Sequence, residues 1–177
     1  MTIQILDKKF SPYLSEAQIH EAVLRVGKAL TAELSDSRPL FVCILRGALF
    51  FFADLLEELH FSFDLAFYRV SSYEGTQSSH QVREQMPFPR NVKGRTVVLV
   101  EDIVETGETM EFLLQKFREM GAHEVRVATL LLKPGKFHQQ FPIHYCGFSI
   151  GDEFIVGYGL DYRQEGRNLP QIYRIEE

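Results

Sequence analysis

The sequence has few of the features that direct a protein to a membrane or to an oxidising compartment. It contains only two cysteines, Cys43 and Cys146, and both lie in apolar stretches. Since the N-terminus does not resemble a secretion signal, these cysteines favour two reduced, buried thiols over a disulfide. The densest apolar run, residues 47–53, ends at Asp54 and is far shorter than the ~20 residues needed to span a bilayer. We therefore expect a cytoplasmic protein without a membrane segment.

Positive charge is also in deficit. The 19 lysines and arginines are outnumbered by 24 aspartates and glutamates, which gives a formal net charge of -5. This balance provides no overall attraction to nucleic acid or anionic lipid, although local basic patches remain compatible with it. The six histidines lack the spacing of metal ligands, and no Ser/His/Asp or Cys/His arrangement is visible. We assign the histidines no role and expect no nucleic-acid partner.

The pattern of apolar residues predicts one α/β domain over residues 1–177. A chain of 177 residues can form one domain that buries roughly 70% of the surface of its unfolded chain. Ser15 and Gln18 form a capping-box pattern at the start of an amphipathic helix. Apolar runs predict strands at 40–45, 63–70, 96–100, 125–132 and 154–158, and helical spacing predicts further helices at 48–59 and after 109. Strands that alternate with helices favour a parallel sheet with helices on both faces.

Residues 71–90 interrupt this alternation. The segment is rich in Ser, Gln, Glu and Pro and has little apolar periodicity, so at least its first half is predicted to be a long loop. Long loops in compact domains are commonly lids or disordered segments.

The stretch from Thr96 to Gly121 carries the strongest functional signal. A β-branched run is followed by an acidic turn and an amphipathic helix, and the turn contains Glu101, Asp102, Glu105, Thr106, Gly107, Glu108 and Thr109. Amides and hydroxyls at a helix N-terminus bind anions, and most naturally phosphate. Carboxylates beside them suit sugar hydroxyls or Mg²⁺. The segment therefore predicts a sugar-phosphate site, with a solvated acidic turn and an ordinary helix start as the plain alternatives.

Other polar residues follow neighbouring predicted strands. Arg46 and Gly47 come directly after one strand, and Lys133 follows another. In open α/β sheets, ligands bind beyond the carboxyl ends of the strands. We expect these residues and the acidic turn to lie on one rim.

Several motifs resemble those of the type I phosphoribosyltransferases. The run VVLVEDIVETGETM at 97–110 is similar to their ribose-5-phosphate-binding signature. Similarity to the hypoxanthine-guanine branch comes from LRG at 45–47, SSYEGT at 71–76, LLLK at 130–133 and FIVGYGLDYRQEGR at 154–167. The resemblance implies a core over about 35–150, a mobile lid, and a small hood built from the N-terminal segment and about 151–177. It also implies a homo-oligomer, either a dimer or a tetramer, in which the Arg46 loop lies near an interface.

The activity that this resemblance implies is Mg²⁺-dependent transfer of phosphoribose. The donor is 5-phosphoribosyl 1-diphosphate, and the acceptor is N9 of a 6-oxopurine such as hypoxanthine or guanine, giving IMP or GMP. Two alternatives remain: a sibling enzyme that prefers xanthine, and a nucleotide-sensing regulator on the same fold without turnover. The regulator predicts a basic RNA-binding face and loss of the base-contacting residues.

The resemblance also implies roles for individual residues. The residues expected to bind ribose 5-phosphate are Glu101, Asp102, Glu105, Thr106, Gly107, Glu108 and Thr109. The residues expected to bind the diphosphate are Arg46, Gly47 and Arg167, and the 45–46 peptide of the Arg46 loop can be cis. The residues expected to bind the purine are Lys133, Phe154, Ile155 and Asp161. Lid contacts are assigned to Ser72 and Tyr73, and Mg²⁺ ligands to Glu101, Asp102 and Asp161. Turn, core and strand-end positions are the plain alternatives for these residues.

Glu105 is the residue at which the sequence departs from the family pattern. The family usually has aspartate there, credited with accepting the proton of purine N7. Glutamate keeps the carboxylate but adds a methylene, which changes its reach and its rotamers. We expect Glu105 to act as the proton acceptor.

Overall fold

The computed structural model describes residues 1–73, 81–85 and 87–176. The described part of the chain forms ten strands and three helices. In chain order they are β1 (Ile3–Ile5), β2 (Lys8–Leu14), α1 (Glu16–Leu34), β3 (Leu40–Leu45), α2 (Leu49–Glu57), β4 (Asp64–Tyr73), β5 (Gln81–Glu84), β6 (Thr96–Val104), α3 (Glu108–Glu119), β7 (Glu124–Leu132), β8 (Tyr145–Ser149), β9 (Ile155–Val156) and β10 (Ile172–Ile175).

The larger of the two sheets has the strand order β5-β4-β3-β6-β7-β8. Five of these strands are parallel, and only β5 at the edge runs antiparallel to its neighbour. The predicted parallel sheet is therefore confirmed. Its central strands are continuous apolar runs because both of their faces are covered.

The alternation of side chains along β3 shows how the helices cover the sheet. Phe41 and Cys43 pack on the face that carries α1 and α2, whereas Leu40 and Val42 pack on the face that carries α3. The prediction of helices on both faces is confirmed.

The predicted capping box is present at the start of α1. Ser15 Oγ accepts a hydrogen bond from the Gln18 N–H, and the Ser15 N–H donates to the Gln18 side chain.

A second, antiparallel sheet is built from the two ends of the chain. Its order is β1-β2-β10-β9, and its own small core contains Ile5, Phe10, Val156 and Tyr173. This sheet is the small hood of the predicted fold class. Its strands β1, β2 and β10 were not predicted from local pattern, and neither were β5 and β8 of the larger sheet.

Two strands extend beyond their predicted C-terminal ends, and the strand predicted at 154–158 is shorter, since β9 contains only Ile155 and Val156. β6 continues to Val104, so Glu101 and Asp102 lie in a strand and not in a turn, because backbone pairing with β7 extends through this segment. β4 continues to Tyr73 and pairs with β5, so residues 71–73 of the predicted loop lie in a strand. The rest of the first half of that loop, at 74–80, lies outside the described residues.

The remaining sequence-based expectations concern the thiols and the membrane. Cys43 is buried, and burial raises the pKa of its thiol to about 12. Cys146 is only partly buried, contrary to the expectation of two buried thiols, and its Sγ donates to the Phe148 carbonyl oxygen. Among the helices in the described ranges, none combines the length and apolarity needed to cross a bilayer.

Candidate active site

The carboxyl ends of β3, β6 and β7 open into one cavity of about 540 Å³. The predicted site residues that line it are Arg46, Gly47, Glu101, Asp102, Glu105, Thr106, Gly107, Glu108, Thr109, Lys133, Phe154, Ile155, Asp161 and Arg167. The backbones of the two predicted lid residues, Ser72 and Tyr73, lie at the end of β4, and their side chains are outside the description. The fold thus brings together residues from five separate parts of the chain.

Gly107 shapes the turn between β6 and α3. It is the N-cap of α3 and has a φ of 86°, a backbone conformation that favours glycine. A Cβ atom there would lie 2.8 Å from Cε2 of Phe137 and 2.7 Å from Cγ of Gln139, so the packing also excludes a side chain. Thr106 Oγ1 accepts a hydrogen bond from the Glu108 N–H. The start of a three-turn helix therefore borders the cavity, and its amides and dipole favour an anion.

The Arg46–Gly47 segment packs tightly against two other parts of the site. The Leu45–Arg46 peptide is cis. A Cβ atom on Gly47 would lie 1.6 Å from Asp102 Oδ2, and one on Gly159 would lie 2.0 Å from the Gly47 carbonyl oxygen. Glycine at both positions therefore leaves room for the Asp102 carboxylate at Gly47 and for the Gly47 backbone at Gly159.

Glu101 and Asp102 form a pair of acids at the end of β6. Burial raises the pKa of Glu101 well above its usual value, and the adjacent Asp102 charge raises it further. Burial also raises the pKa of Asp102, although the Ile103 N–H donates to its carboxylate over 2.9 Å. Both groups are therefore costly to keep ionised without a cation nearby.

Glu105 lies between two lysines. Lys133 Nζ donates to Glu105 Oε1 over 2.7 Å, and Lys136 Nζ donates to Glu105 Oε2 over 3.3 Å. Burial alone would raise the pKa of Glu105, but the hydrogen bonds and charges of the two lysines outweigh it and leave that pKa below its usual value. Glu105 is accordingly ionised at neutral pH and can accept a proton.

Asp161 and Arg167, which both line the cavity, pair with each other. Arg167 Nη2 forms an ion pair with Asp161 Oδ1, and its Nη1 donates to the Gly159 carbonyl oxygen over 2.7 Å. Gln164 connects this pair to the Arg46 loop, because its N–H donates to Asp161 Oδ2 and its side-chain oxygen accepts from Arg46. The two predicted cations, Arg46 and Arg167, therefore belong to one hydrogen-bonded network.

Phe154 is a half-exposed aromatic ring at the edge of the hood. Its ring meets Tyr162 edge to face at 5.8 Å between centroids and lies 6.4 Å from the ring of Phe10. The neighbouring Ile155 is buried and pairs with β10. Phe154 thus presents a supported apolar surface to the cavity, which suits a planar ligand.

Sequence reasoning missed several residues that contact the predicted site residues. Among them are Lys136, Phe137 and Gln164. For Lys136, the turn signal Lys133-Pro134-Gly135-Lys136 could have indicated that the chain reverses and brings a second lysine beside the first, since the Lys136 N–H donates to the Lys133 carbonyl oxygen. Nothing local in the sequence indicates the contacts of Phe137 or Gln164.

A divalent cation is compatible with the acids of the site. Across the described ranges, no group of three or more His, Cys, Asp and Glu side chains has the arrangement of a metal site. Mg²⁺, however, is commonly held by one or two carboxylates together with substrate phosphates and water. The two partly desolvated carboxyl groups of Glu101 and Asp102 have the oxygen chemistry for this, and the cation would offset the cost of ionising them.

Known proteins resemble the chain over nearly its whole length. Residues 15–163 match the family model "Phosphoribosyl transferase domain". The hypoxanthine-guanine phosphoribosyltransferase of Bacillus subtilis is 38% identical over 160 residues, which are 90% of this chain and 89% of the relative. The hypoxanthine-guanine-xanthine phosphoribosyltransferase of Tritrichomonas foetus is 36% identical over 164 residues, 92% and 90% of the two chains. A crystal structure of a Bacillus anthracis hypoxanthine-guanine phosphoribosyltransferase superposes with a TM-score of 0.89 at 31% identity, covering 94% of this chain and 98% of the other.

Proposed function

The chain belongs to the phosphoribosyltransferase family, and we propose that it transfers phosphoribose from 5-phosphoribosyl 1-diphosphate to hypoxanthine or guanine. The products are IMP or GMP and diphosphate, as in purine salvage. The observation that carries the proposal is the Lys133–Glu105 pair at one wall of a cavity that also receives the start of α3 and the Arg46 loop. A purine site thus adjoins an anion site.

The purine is recognised at Lys133. Its ammonium group donates to the O6 of a 6-oxopurine, whereas an exocyclic 6-amino group offers it no good acceptor. Phe154 stacks on the purine ring, and Ile155 and Asp161 contact the base edge through their backbone. This arrangement favours hypoxanthine and guanine over adenine.

The phosphate groups lie at two other walls. The amides of residues 105–109 and the hydroxyls of Thr106 and Thr109 hold the 5′-phosphate at the start of α3, and Glu108 lies in the same helix start. The diphosphate is held by Arg46, Gly47 and Arg167. Glu101 and Asp102, at the end of β6, bind the sugar hydroxyls.

The reaction forms one bond and breaks another. N9 attacks C1′ of the ribose, the bond from C1′ to the diphosphate oxygen breaks, and the proton on N7 passes to the Glu105 carboxylate. The cations Arg46 and Arg167 stabilise the charge of the leaving diphosphate. Ser72 and Tyr73 belong to the proposed lid, which keeps water from the reacting carbon.

Mg²⁺ is the cofactor that we propose for this site. When bound, it supplies positive charge to the diphosphate and so improves the leaving group. Glu101, Asp102 and Asp161 would hold it together with the substrate. The Asp161 carboxylate is already paired with Arg167, so we expect it to contribute least.

Two of the earlier alternatives can be weighed. The regulator without turnover predicted the loss of base-contacting residues, whereas Lys133, Phe154 and Asp161 all line the cavity. The xanthine-preferring sibling remains a second candidate, because the Tritrichomonas foetus relative carries xanthine in its name.

We further propose a cytoplasmic homo-oligomer, a dimer or a tetramer. Leu49 and Phe50 follow the Arg46 loop directly and are exposed, which suits an interface near that loop. Light scattering of the purified protein tests this: a mass of 20.5 kDa for the species in solution would contradict it.

One assay tests the proposed activity. The purified protein is mixed with Mg²⁺, 5-phosphoribosyl 1-diphosphate and, in turn, hypoxanthine, guanine, xanthine and adenine, and nucleotide formation is followed by ultraviolet absorbance. We expect turnover with hypoxanthine and guanine and none with adenine. Xanthine as the best substrate would favour the sibling enzyme, and no nucleotide from any base would overturn the proposal.

A further inference from the structure

Lys136 is a second lysine at the proposed proton acceptor, and none of the roles assigned above uses it. Its Nζ is 3.3 Å from Glu105 Oε2, while Lys133 Nζ is 2.7 Å from Oε1. Each oxygen of the Glu105 carboxylate therefore has its own ammonium partner. The two lysines differ in setting, since the Lys133 side chain is only 3% exposed and that of Lys136 is 40% exposed.

The backbone of Lys136 is fixed relative to Glu105 by the turn that follows β7. The N–H groups of Lys136 and Phe137 both donate to the Lys133 carbonyl oxygen over 3.1 Å. The Phe137 ring then packs on Gly107, where it occupies the space that a side chain would need. The turn therefore touches the loop of Glu105 at two points, through the lysines and through this ring.

The two lysines have different tasks in the proposed reaction. Lys133 has to donate to the purine O6, so its ammonium group, which has three N–H donors, is shared between O6 and Glu105 Oε1. Lys136 has no such competing task. Glu105 has three side-chain torsions, and the second ion pair restricts its rotamers at the moment when the carboxylate must face N7.

We propose that Lys136 is a positioning residue for Glu105: it holds Oε2 while Lys133 also donates to the purine, and so directs Oε1 at N7. This inference rests on the proposed function and assigns a further residue to the same site. The extra methylene of glutamate gives a physical reason for it, because a longer carboxylate side chain needs a second point of attachment to be held in one orientation.

The charges around Glu105 give the role a measurable signature. The cations that face its carboxylate are Lys133, from the end of β7, and Lys136, from the following turn. The acids that line the same cavity are Glu101 and Asp102 on β6, Glu108 on α3, and Asp161, which is paired with Arg167. Replacing Lys136 by a neutral residue removes one of two attractive charges, so the pKa of Glu105 must rise.

The test compares Lys136→Met and Lys136→Arg with the parent protein and with Lys93→Met, a matched substitution of an exposed lysine that does not line the cavity. The first readout is the pH dependence of kcat/KM for hypoxanthine. We expect Lys136→Met to lose up to about 10-fold at the acidic end of the profile and less than about 3-fold at about pH 8.5, because its acid limb moves to higher pH. Lys136→Arg and Lys93→Met should follow the parent profile.

The second readout does not depend on turnover. Carbon-13 NMR of the glutamate carboxyl groups, with the Glu105 signal assigned by its loss in Glu105→Gln, gives the titration of Glu105 directly. We expect its midpoint to rise in Lys136→Met and to be unchanged in Lys136→Arg and Lys93→Met. Circular dichroism verifies that each variant is folded, and Lys136→Gln replaces Lys136→Met if the latter is not.

Three outcomes decide the inference. A moved acid limb together with a moved Glu105 titration supports it. An active parent whose profile and Glu105 titration are unchanged by Lys136→Met overturns the role of Lys136 but leaves the proposed function intact. An inactive parent contradicts the proposed function itself. The proposed role of Lys136 is then also wrong, even if the pKa of Glu105 rises in Lys136→Met.

Discussion

Lys133 Nζ lies 2.7 Å from Glu105 Oε1, so the residue proposed to recognise the base and the residue proposed to take its proton are joined by one hydrogen bond. The Lys133 side chain is almost fully buried, and a buried ammonium group requires an anionic partner. Base recognition and proton transfer are therefore coupled through this contact.

The first prediction concerns Glu105 as proton acceptor. Glu105→Gln keeps the shape of the side chain but cannot accept a proton, so kcat for hypoxanthine should fall by about 10²- to 10⁴-fold. Glu105→Asp keeps the carboxylate with a shorter reach and should retain most of the activity. Steady-state kinetics with saturating 5-phosphoribosyl 1-diphosphate measures both. If both variants stay within a few-fold of the parent, Glu105 is not the base.

The second prediction separates recognition from stability at Lys133. Lys133→Met removes the donor for O6 and replaces a buried charge with an apolar side chain of similar length. We expect kcat/KM for hypoxanthine to fall about 10- to 100-fold, because a hydrogen bond from a charged group is lost. The free energy of unfolding should change by less than about 1 kcal/mol, because the Glu105 carboxylate is 41% exposed and keeps Lys136 as a partner, so no unpaired buried charge is left. Kinetics and chemical denaturation measure the two effects; an unfolded variant or unchanged kinetics would contradict this account.

The third prediction concerns the close packing of Gly47 on Asp102. In Gly47→Ala, the new Cβ would lie 1.6 Å from Asp102 Oδ2, so the loop or the carboxylate must move. We expect a loss of about 1–3 kcal/mol of stability and weaker binding of 5-phosphoribosyl 1-diphosphate. Gly135→Ala is the matched control, because its nearest neighbour, the Asp152 carboxylate, is 3.4 Å from the new Cβ. Equal effects of the two substitutions on unfolding and on donor affinity would refute the argument.

The fourth prediction uses the raised pKa of Glu101. The pKa of Glu101 is higher in the folded protein than in the unfolded chain. Its contribution to stability is therefore complete at pH values below the unfolded pKa and is lost as the pH rises through the folded pKa, where the buried carboxyl group must ionise. Glu101→Gln removes the cost of ionising this group, so it should raise the unfolding temperature at neutral pH, and the gain should vanish once the medium is acidic enough to protonate Glu101 in both states. In a chain of this size, about 1 kcal/mol corresponds to about 2–4 °C. Turnover should fall, because the sugar and Mg²⁺ lose a carboxylate.

Calorimetric melting of the parent and Glu101→Gln at neutral and acidic pH provides the measurement. A lower melting temperature for Glu101→Gln at neutral pH would show that the carboxylate stabilises the fold, contrary to this prediction.

Much of the fold could be predicted because its elements have local signals. The capping box of Ser15 and Gln18 and the apolar run at 40–45 both reappear in the structure, as α1 and β3. The extension of β6 through Glu101 and Asp102 had no such signal. It depends on pairing with β7, and this long-range pairing overrides the acidic, turn-like composition of the segment.

The hood and the outer contacts of the site were less accessible to sequence reasoning. β2 and β10 come from opposite ends of the chain, and their strands are short and partly polar, so neither has a clear period. The outer contacts of the site also depend on the folded chain and have no local signal in the sequence. The resemblance identified Glu105 and Lys133 by position, but only the folded turn shows that Lys136 reaches the same carboxylate.

The most direct test of the account is to identify the products of one reaction. Purified protein, hypoxanthine and 5-phosphoribosyl 1-diphosphate are incubated with Mg²⁺ or with a chelator, and the mixture is analysed by liquid chromatography with mass spectrometry. We predict IMP and diphosphate in equal amounts with Mg²⁺ and neither with the chelator. Hypoxanthine and donor recovered unchanged in the presence of Mg²⁺, from protein shown to be folded, would contradict the account.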